Sequence, residues 1–214
     1  MSKYTDQNYL KSEQYKDASN LNARILIHEL FSGKKYGWAP WVFDTYEKLP
    51  PKANVLELGS GPAFIWVQCP ERIPGDWQIT LSDLTPGMLA AAQENLASVE
   101  HPFTYREIDA QEIPFDDEAF DIVIANHMLY HVPDKPKGLA EIRRVLKADG
   151  ILIAATNGDN HLLEMNTWLQ AASPDPVFTP MGNPFTLENG VAQLEPFFSS
   201  VELLHYKDSL HITD

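Results

Sequence analysis

Two glycines and three carboxylates stand where apolar runs end, and their spacing suits the binding of a nucleoside with a charged tail. In Val55-Leu56-Glu57-Leu58-Gly59-Ser60-Gly61-Pro62-Ala63 a buried run meets a turn of small residues. Gly59 and Gly61 lack a Cβ, so the chain can turn tightly and a ligand can approach the backbone. The N–H groups of such a turn, with the helix N-terminus after it, favour a carboxylate or another anion. Asp83 closes a second apolar run, 24 residues beyond Gly59. A spacing of roughly 20 is expected of an acid that accepts both hydroxyls of a ribose. Asp109-Ala110-Gln111 follows a third run. A carboxylate there can accept an adenine amino group while a neighbouring N–H donates to a ring nitrogen; the bland alternative is a solvated loop acid.

A second group could act on whatever lies beside that nucleoside. His127 and His131 in Asn126-His127-Met128-Leu129-Tyr130-His131 are four apart, so on a helical turn they share a face. They read either as a base and substrate contact or as packed, hydrogen-bonded rings. No third ligand has recognisable spacing, so no metal is expected. Tyr4, Tyr9, Tyr15, Trp38 and Trp41 form either a lid with an aromatic wall or ordinary helix packing. Tyr15 and Arg24 can reach a ligand carboxylate. Cys69 reads as a small core residue, and Asp116-Asp117-Glu118 as a solvated turn.

These residues need elements to hold them. Apolar runs at Ala53–Leu58, Gln78–Ser82, Phe103–Ile108, Ala119–Ala125 and Gly150–Thr156 lack polar alternation, as strands buried on both faces of a parallel sheet do. Helical stripes lie between them. Thr85-Pro86 reads as a cap and first turn. Leu139, Ile142, Val145 and Leu146 form another stripe, with Lys147 in its last turn and Gly150 beyond its end. In residues 1–51, an N-terminal helical cap, Asn20 can cap one helix and Pro40 can open a second. Residues 52–157 form the nucleotide-binding core. Residues 158–214 carry a substrate-side connection, irregular around Pro174, Pro176, Pro180 and Pro184, and one more strand at Val201–Tyr206. The fold class is α/β: a Rossmann-like, doubly wound, mostly parallel sheet with helices on both faces and its ligand crevice at the strands' carboxyl ends.

The ordered series Glu57-Leu58-Gly59-Ser60-Gly61, Asp83, Asp109-Ala110-Gln111-Glu112-Ile113-Pro114-Phe115, Phe120-Asp121-Ile122-Val123 and Glu141 to Gly150 resembles the small-molecule (UbiE/type 11) branch of class I S-adenosylmethionine-dependent methyltransferases. The resemblance covers about half the chain. It implies S-adenosylmethionine as cofactor and S-adenosylhomocysteine as product. Gly59, Ser60 and Gly61 would line the methionine part and Glu57 would order their turn. Asp83 would hold the ribose, Leu84 and Met88 would flank the adenine, and Asp109, Ala110 and Gln111 would meet its edge. Asn126 would sit near the sulfonium and amino group. Two departures stand out. Ala63 replaces a common third glycine, and only Lys207 to Asp214 follow the last expected strand, so either the chain is truncated or a partner covers the sheet edge.

Composition sets the outer limits. With 214 residues, 44% hydrophobic and 21% charged, the chain suits one globular domain. A net charge of −14 disfavours nucleic acid and anionic membranes. One cysteine, no signal-peptide core and no long apolar run point to a cytoplasmic protein, a monomer or homodimer acting on a small molecule. Two rival readings remain. A nicotinamide-dependent oxidoreductase would want a glycine where Phe64 stands, and a non-catalytic binding module would keep the fold without the chemistry.

Overall fold

The computed structural model describes residues 5–172 and 185–212. The chain opens with a short helix α1 (Gln7–Tyr9) that passes into a π-helical turn (Leu10–Gln14), then α2 (Ser19–Phe31) and α3 (Trp38–Tyr46). The alternating core follows: β1 (Lys52–Leu58), α4 (Phe64–Gln68), β2 (Asp76–Asp83), α5 (Pro86–Asn95), β3 (Phe103–Glu107), β4 (Phe120–Asn126), α6 (Lys135–Val145) and β5 (Leu146–Ala155). Two further helices, α7 (Leu163–Ala172) and α8 (Gly190–Leu194), come after it.

The five strands form one sheet in the order β3-β2-β1-β4-β5, and every pairing is parallel. Alternate residues of the central strands bury on opposite faces. Val55, Ile79, Leu81, Ile122 and Ile124 pack with Phe43, Tyr46, Trp66 and Ala92 from α3, α4 and α5. Leu56, Leu58, Val123 and Ala125 pack with Leu139, Ile142 and Val145 of α6. Helices therefore cover both faces, which is why these strands read as continuous apolar runs. The order of strands reverses between β1 and β4, the place where a doubly wound sheet opens its ligand crevice.

Register decides what meets there. Leu58 pairs with Ser82, and Glu57 with Ile124. One step beyond the first pair and two beyond the second, Gly59, Asp83 and Asn126 come level at the tips of three adjacent strands.

Several local expectations are corrected. Asn20 lies inside α2, whose cap position is Ala18; its amide instead donates to the carbonyls of Glu13 and Gln14. Helix α6 ends at Val145 and runs straight into β5, so Lys147 is a strand residue that pairs with Asp121 at 2.6 Å; Arg143 and Arg144 fill the last helical turn. Val201–Tyr206 forms no ladder. Leu203 and Leu204 are each 43% exposed, and no strand among the described residues pairs with the segment. Beyond it, Leu210 bridges Ser32 at the end of α2. The prolines expected to make an irregular connection, 174 to 184, lie outside the described residues, as does Tyr4.

Candidate functional site

The turn after β1 is the centre of the site. Gly59 and Gly61 have φ of 65° and 54°, in the left-handed region. A Cβ on Gly59 would stand 2.6 Å from Met128 Cβ, so nothing larger fits. Ala63 adopts the same left-handed geometry, φ 61°, at the N-terminal cap of α4. The alanine that replaces the common glycine thus keeps the glycine conformation, at a cost of order 1–2 kcal/mol.

Beneath the turn, Glu57 is buried and its Oε2 accepts from Trp66 Nε1 at 2.5 Å. Burial raises the Glu57 pKa to about 7; the Trp66 hydrogen bond opposes this and the nearby Asp83 charge reinforces it. Ser60 N–H donates to Ser82 O, and Ser82 Oγ to Glu57 O, so β1 and β2 are stitched at their tips.

Asp83 ties the turn down. Its Oδ2 accepts from Gly61 N–H at 3.0 Å, and its Oδ1 accepts from the Thr85 N–H and Oγ1, both at 2.9 Å. Thr85 therefore spends its hydroxyl on Asp83 and makes no side-chain cap to α5. Burial raises the Asp83 pKa and these donors pull it back. The Leu84 backbone donates to the same carboxylate, so its roughly four acceptor positions are engaged within the fold.

Asp109 accepts from Gln111 N–H at 2.9 Å and from Gln7 Nε2 at 2.7 Å. Burial acts against its charge, but these hydrogen bonds and Lys11 hold the carboxyl below its ordinary range. Leu84, Met88 and Ala110 line the cleft beside it. Gln111 does not; its amide folds back on Asp109 and accepts from Asp134 N–H.

Asn126 donates to Tyr46 Oη at 3.0 Å. Its Oδ1 and Ser60 Oγ are buried and have no hydrogen-bond partner. Such orphaned atoms are rare in folded proteins and mark places where a ligand or water completes the pairing. Both belong to cleft-lining residues.

The two histidines part company. His127 has φ 54°, and a 3₁₀ turn over Leu129–His131 follows, so the pair does not share a helical face. The His131 Nε2 meets Tyr15 Oη at 2.8 Å, and Arg24 donates to the same hydroxyl at 3.3 Å. The His127 ring lies 5.0 Å from Trp38. Burial, then the charges of His161, His28 and Arg24, push its pKa down to about 4.

The N-terminal segment roofs this arrangement. Gln7 reaches Asp109 and Tyr15 reaches His131. The Lys16 carbonyl lies 2.1 Å from where a Cβ on Gly87 would stand, and Leu21 rests on Gly61. Together these elements enclose a cleft of ≈ 2330 Å³.

Sequence reasoning missed Gln7, Tyr46 and Trp66 as partners of the expected residues, and His28 and His161 altogether. None carries a local signal; only the fold brings them in. Among the described residues no group of three His, Cys, Asp or Glu side chains is placed to hold a metal.

A doubly wound sheet with a glycine turn at its reversal point and acids at the tips of β2 and beyond β3 defines the core of a class I S-adenosylmethionine-dependent methyltransferase. The turn no side chain may enter and the two unpaired polar atoms beside it fit the amino-acid tail of that cofactor. Comparisons agree. Residues 56–154 match a methyltransferase domain family. The ubiquinone/menaquinone biosynthesis C-methyltransferase UbiE of Xanthomonas oryzae is 33% identical over 128 residues, 58% of this chain and 50% of its own length. The human mitochondrial arginine-hydroxylase NDUFAF5 is 33% identical over 141 residues, 65% of this chain and 39% of its own. A methyltransferase of this class from Methanosarcina mazei superposes with a TM-score of 0.56 at 20% identity, covering 72% of this chain and 82% of that one. The Bacillus subtilis protein YcgJ gives 0.54 at 20%, covering 74% and 66%. The solved structures show the fold alone. The match to the methyltransferase domain family covers just under half of the chain, and the chain spans about half the length of the curated UbiE relatives it matches.

Proposed function

We propose that this chain transfers a methyl group from S-adenosylmethionine to a small-molecule acceptor. The observation that carries the reading is the pair of buried, unpartnered atoms, Asn126 Oδ1 and Ser60 Oγ, beside a turn that excludes any side chain. An amide oxygen suits an ammonium group, and a hydroxyl can donate to a carboxylate. Arg24 and Tyr15 would complete the grip on that carboxylate. Asp83 would take a ribose hydroxyl in exchange for one of its present donors. Leu84 and Met88 would flank the adenine, whose amino group and ring nitrogen would meet Asp109 and the backbone of Ala110, with Gln111 holding the Asp109 carboxylate in place. Glu57 would act from below, by holding the turn through Trp66 and β1.

When bound, the sulfonium supplies an electrophilic methyl group, so the protein's task is to align the acceptor and exclude water. His127 would touch the acceptor; a ring with a pKa near 4 is neutral at pH 7 and is a poor proton store. Where the acceptor is a hydroxyl, the Tyr15–His131 pair is better placed to take its proton. The net charge of −14 supports a partner that is neither nucleic acid nor membrane, and no helix among the described residues is long and apolar enough to cross a bilayer. We read the protein as cytoplasmic, a monomer or homodimer, with residues 1–51 as cap, 52–157 as core and 158–214 on the acceptor side.

Calorimetry with S-adenosylhomocysteine tests the cofactor half, and transfer of a labelled methyl group across a panel of small acceptors tests the chemistry. Saturable heat with transfer is expected. No heat at millimolar ligand would overturn the reading, and saturable binding of NADH would favour an oxidoreductase instead.

A further inference from the structure

We propose that the corner of the cleft bounded by Arg24, His28, His127 and His161 is an anion-binding subsite that selects a flat, carboxylate-bearing acceptor. The proposal rests on the methyl-transfer reading and deepens it. Arg24 and His28 are one turn apart on α2 and so share a face. The rings of His28 and His161 stack at 5.8 Å with their planes 8° apart. His127, on the residue after Asn126, packs its ring at 5.0 Å on Trp38. All five side chains line the cleft.

Charge gives the corner its character. The chain carries 30 acidic residues against 16 lysines and arginines. Yet the groups that act on His127 are His161, His28 and Arg24, and the only one acting on His161 is His28. No carboxylate is among them, although Glu29 and Glu164 sit on the neighbouring helices α2 and α7. Three imidazoles therefore converge beside Arg24, and among the described residues no carboxylate is hydrogen-bonded or ion-paired to them. Burial, and then the like charges beside them, lower the pKa of His127 and His161, and a neutral ring keeps one N–H to donate. An arriving carboxylate accepts from those donors and favours their protonated forms, so the corner gains charge as it binds an anion. The stacked imidazoles and the Trp38 face leave room for a flat body rather than a branched one.

Calorimetry on protein saturated with S-adenosylhomocysteine would compare benzoate with benzamide and phenylacetate with phenylacetamide at fixed ionic strength. Each pair differs little in shape and by one charge. The carboxylates are expected to bind more than fivefold tighter than the amides. The double substitution His28→Gln/His161→Gln should remove that preference while affinity for S-adenosylhomocysteine holds. Should the double variant lose that affinity, His161→Gln, at an exposed residue, repeats the comparison and should lower the preference. A preference below fivefold in both pairs, or one that survives the substitutions, overturns the subsite and leaves the methyl-transfer reading standing. Absence of S-adenosylhomocysteine binding to the unaltered protein would overturn the methyl-transfer reading and the subsite with it.

Discussion

The two sides of the cleft are made differently. On one side Gly59, Asp83 and Asn126 stand on the tips of adjacent buried strands, and the partners of the last two, Thr85 and Tyr46, are themselves buried. On the other side Arg24, His28 and His161 sit on a helix and a loop at the rim, where the two histidine rings stack and Arg24 makes only long hydrogen bonds to Asn20 and Tyr15. The first side is over-determined: each polar group is held by the sheet as well as by its neighbours. The second is held by few contacts and is free to differ between relatives without loss of the fold. A fixed ligand and a variable one call for these two kinds of wall.

If this contrast is sound, substitutions on the strand-tip side should be costly and those on the rim cheap. The largest effect is expected from Asp83→Ala, which removes the acceptor of three hydrogen bonds and a ribose contact. It should weaken S-adenosylhomocysteine binding by about 2–4 kcal/mol. An unchanged affinity by calorimetry would mean that the sheet, and not Asp83, shapes the turn.

Next comes Glu57. Its folded pKa is raised from 4.5 to about 7, so its contribution to stability is full below pH 4.5 and is lost as pH rises through 7. His127 runs the other way, losing its contribution as pH falls from 6.5 toward 4. The comparison of wild type with Glu57→Gln isolates the first. Urea unfolding should show the wild type losing about 3 kcal/mol relative to the variant between pH 4.5 and pH 8. A constant difference would show that folding does not raise the Glu57 pKa.

Gly59→Ala should cost about 1–3 kcal/mol in urea from strain at its positive φ and from the clash with Met128. In a Met128→Gly background, which removes the Cβ that Gly59 faces, Gly59→Ala should cost less; an equal cost would assign all of it to the backbone. Ala63→Gly should instead stabilise the protein, by about 0.5–1 kcal/mol, since it relieves the same strain at the price of a freer unfolded chain. On the rim, His161→Gln should move the unfolding midpoint by no more than about 0.5 kcal/mol. A larger shift would erase the contrast between the two walls.

Legibility follows the same divide. Glycine at positions 59 and 61, an acid after the second apolar run and another after the third are demands of backbone geometry and of ligand polarity, so they appear in the sequence as fixed types at fixed spacing. The strand order and its reversal follow from alternating elements. What escaped was set by distant partners. Nothing local marks His28 and His161 as neighbours across 133 residues. Gln111 was expected at the cleft, yet it turns inward because Asp109 and Asp134 N–H offer it nearer partners. Val201–Tyr206 has the composition of a strand, but a ladder needs a second backbone, and composition does not supply one.

The contact between Trp66 and Glu57 makes the protein its own indicator. An indole whose N–H sits 2.5 Å from a carboxylate oxygen, with no water around it, emits light under a field that changes when that oxygen gains or loses a proton. Tyr46 and Phe43 pack around the same ring and keep it still. The colour of its emission should report the state of the bend above it, with no dye attached, as the chamber fills and empties.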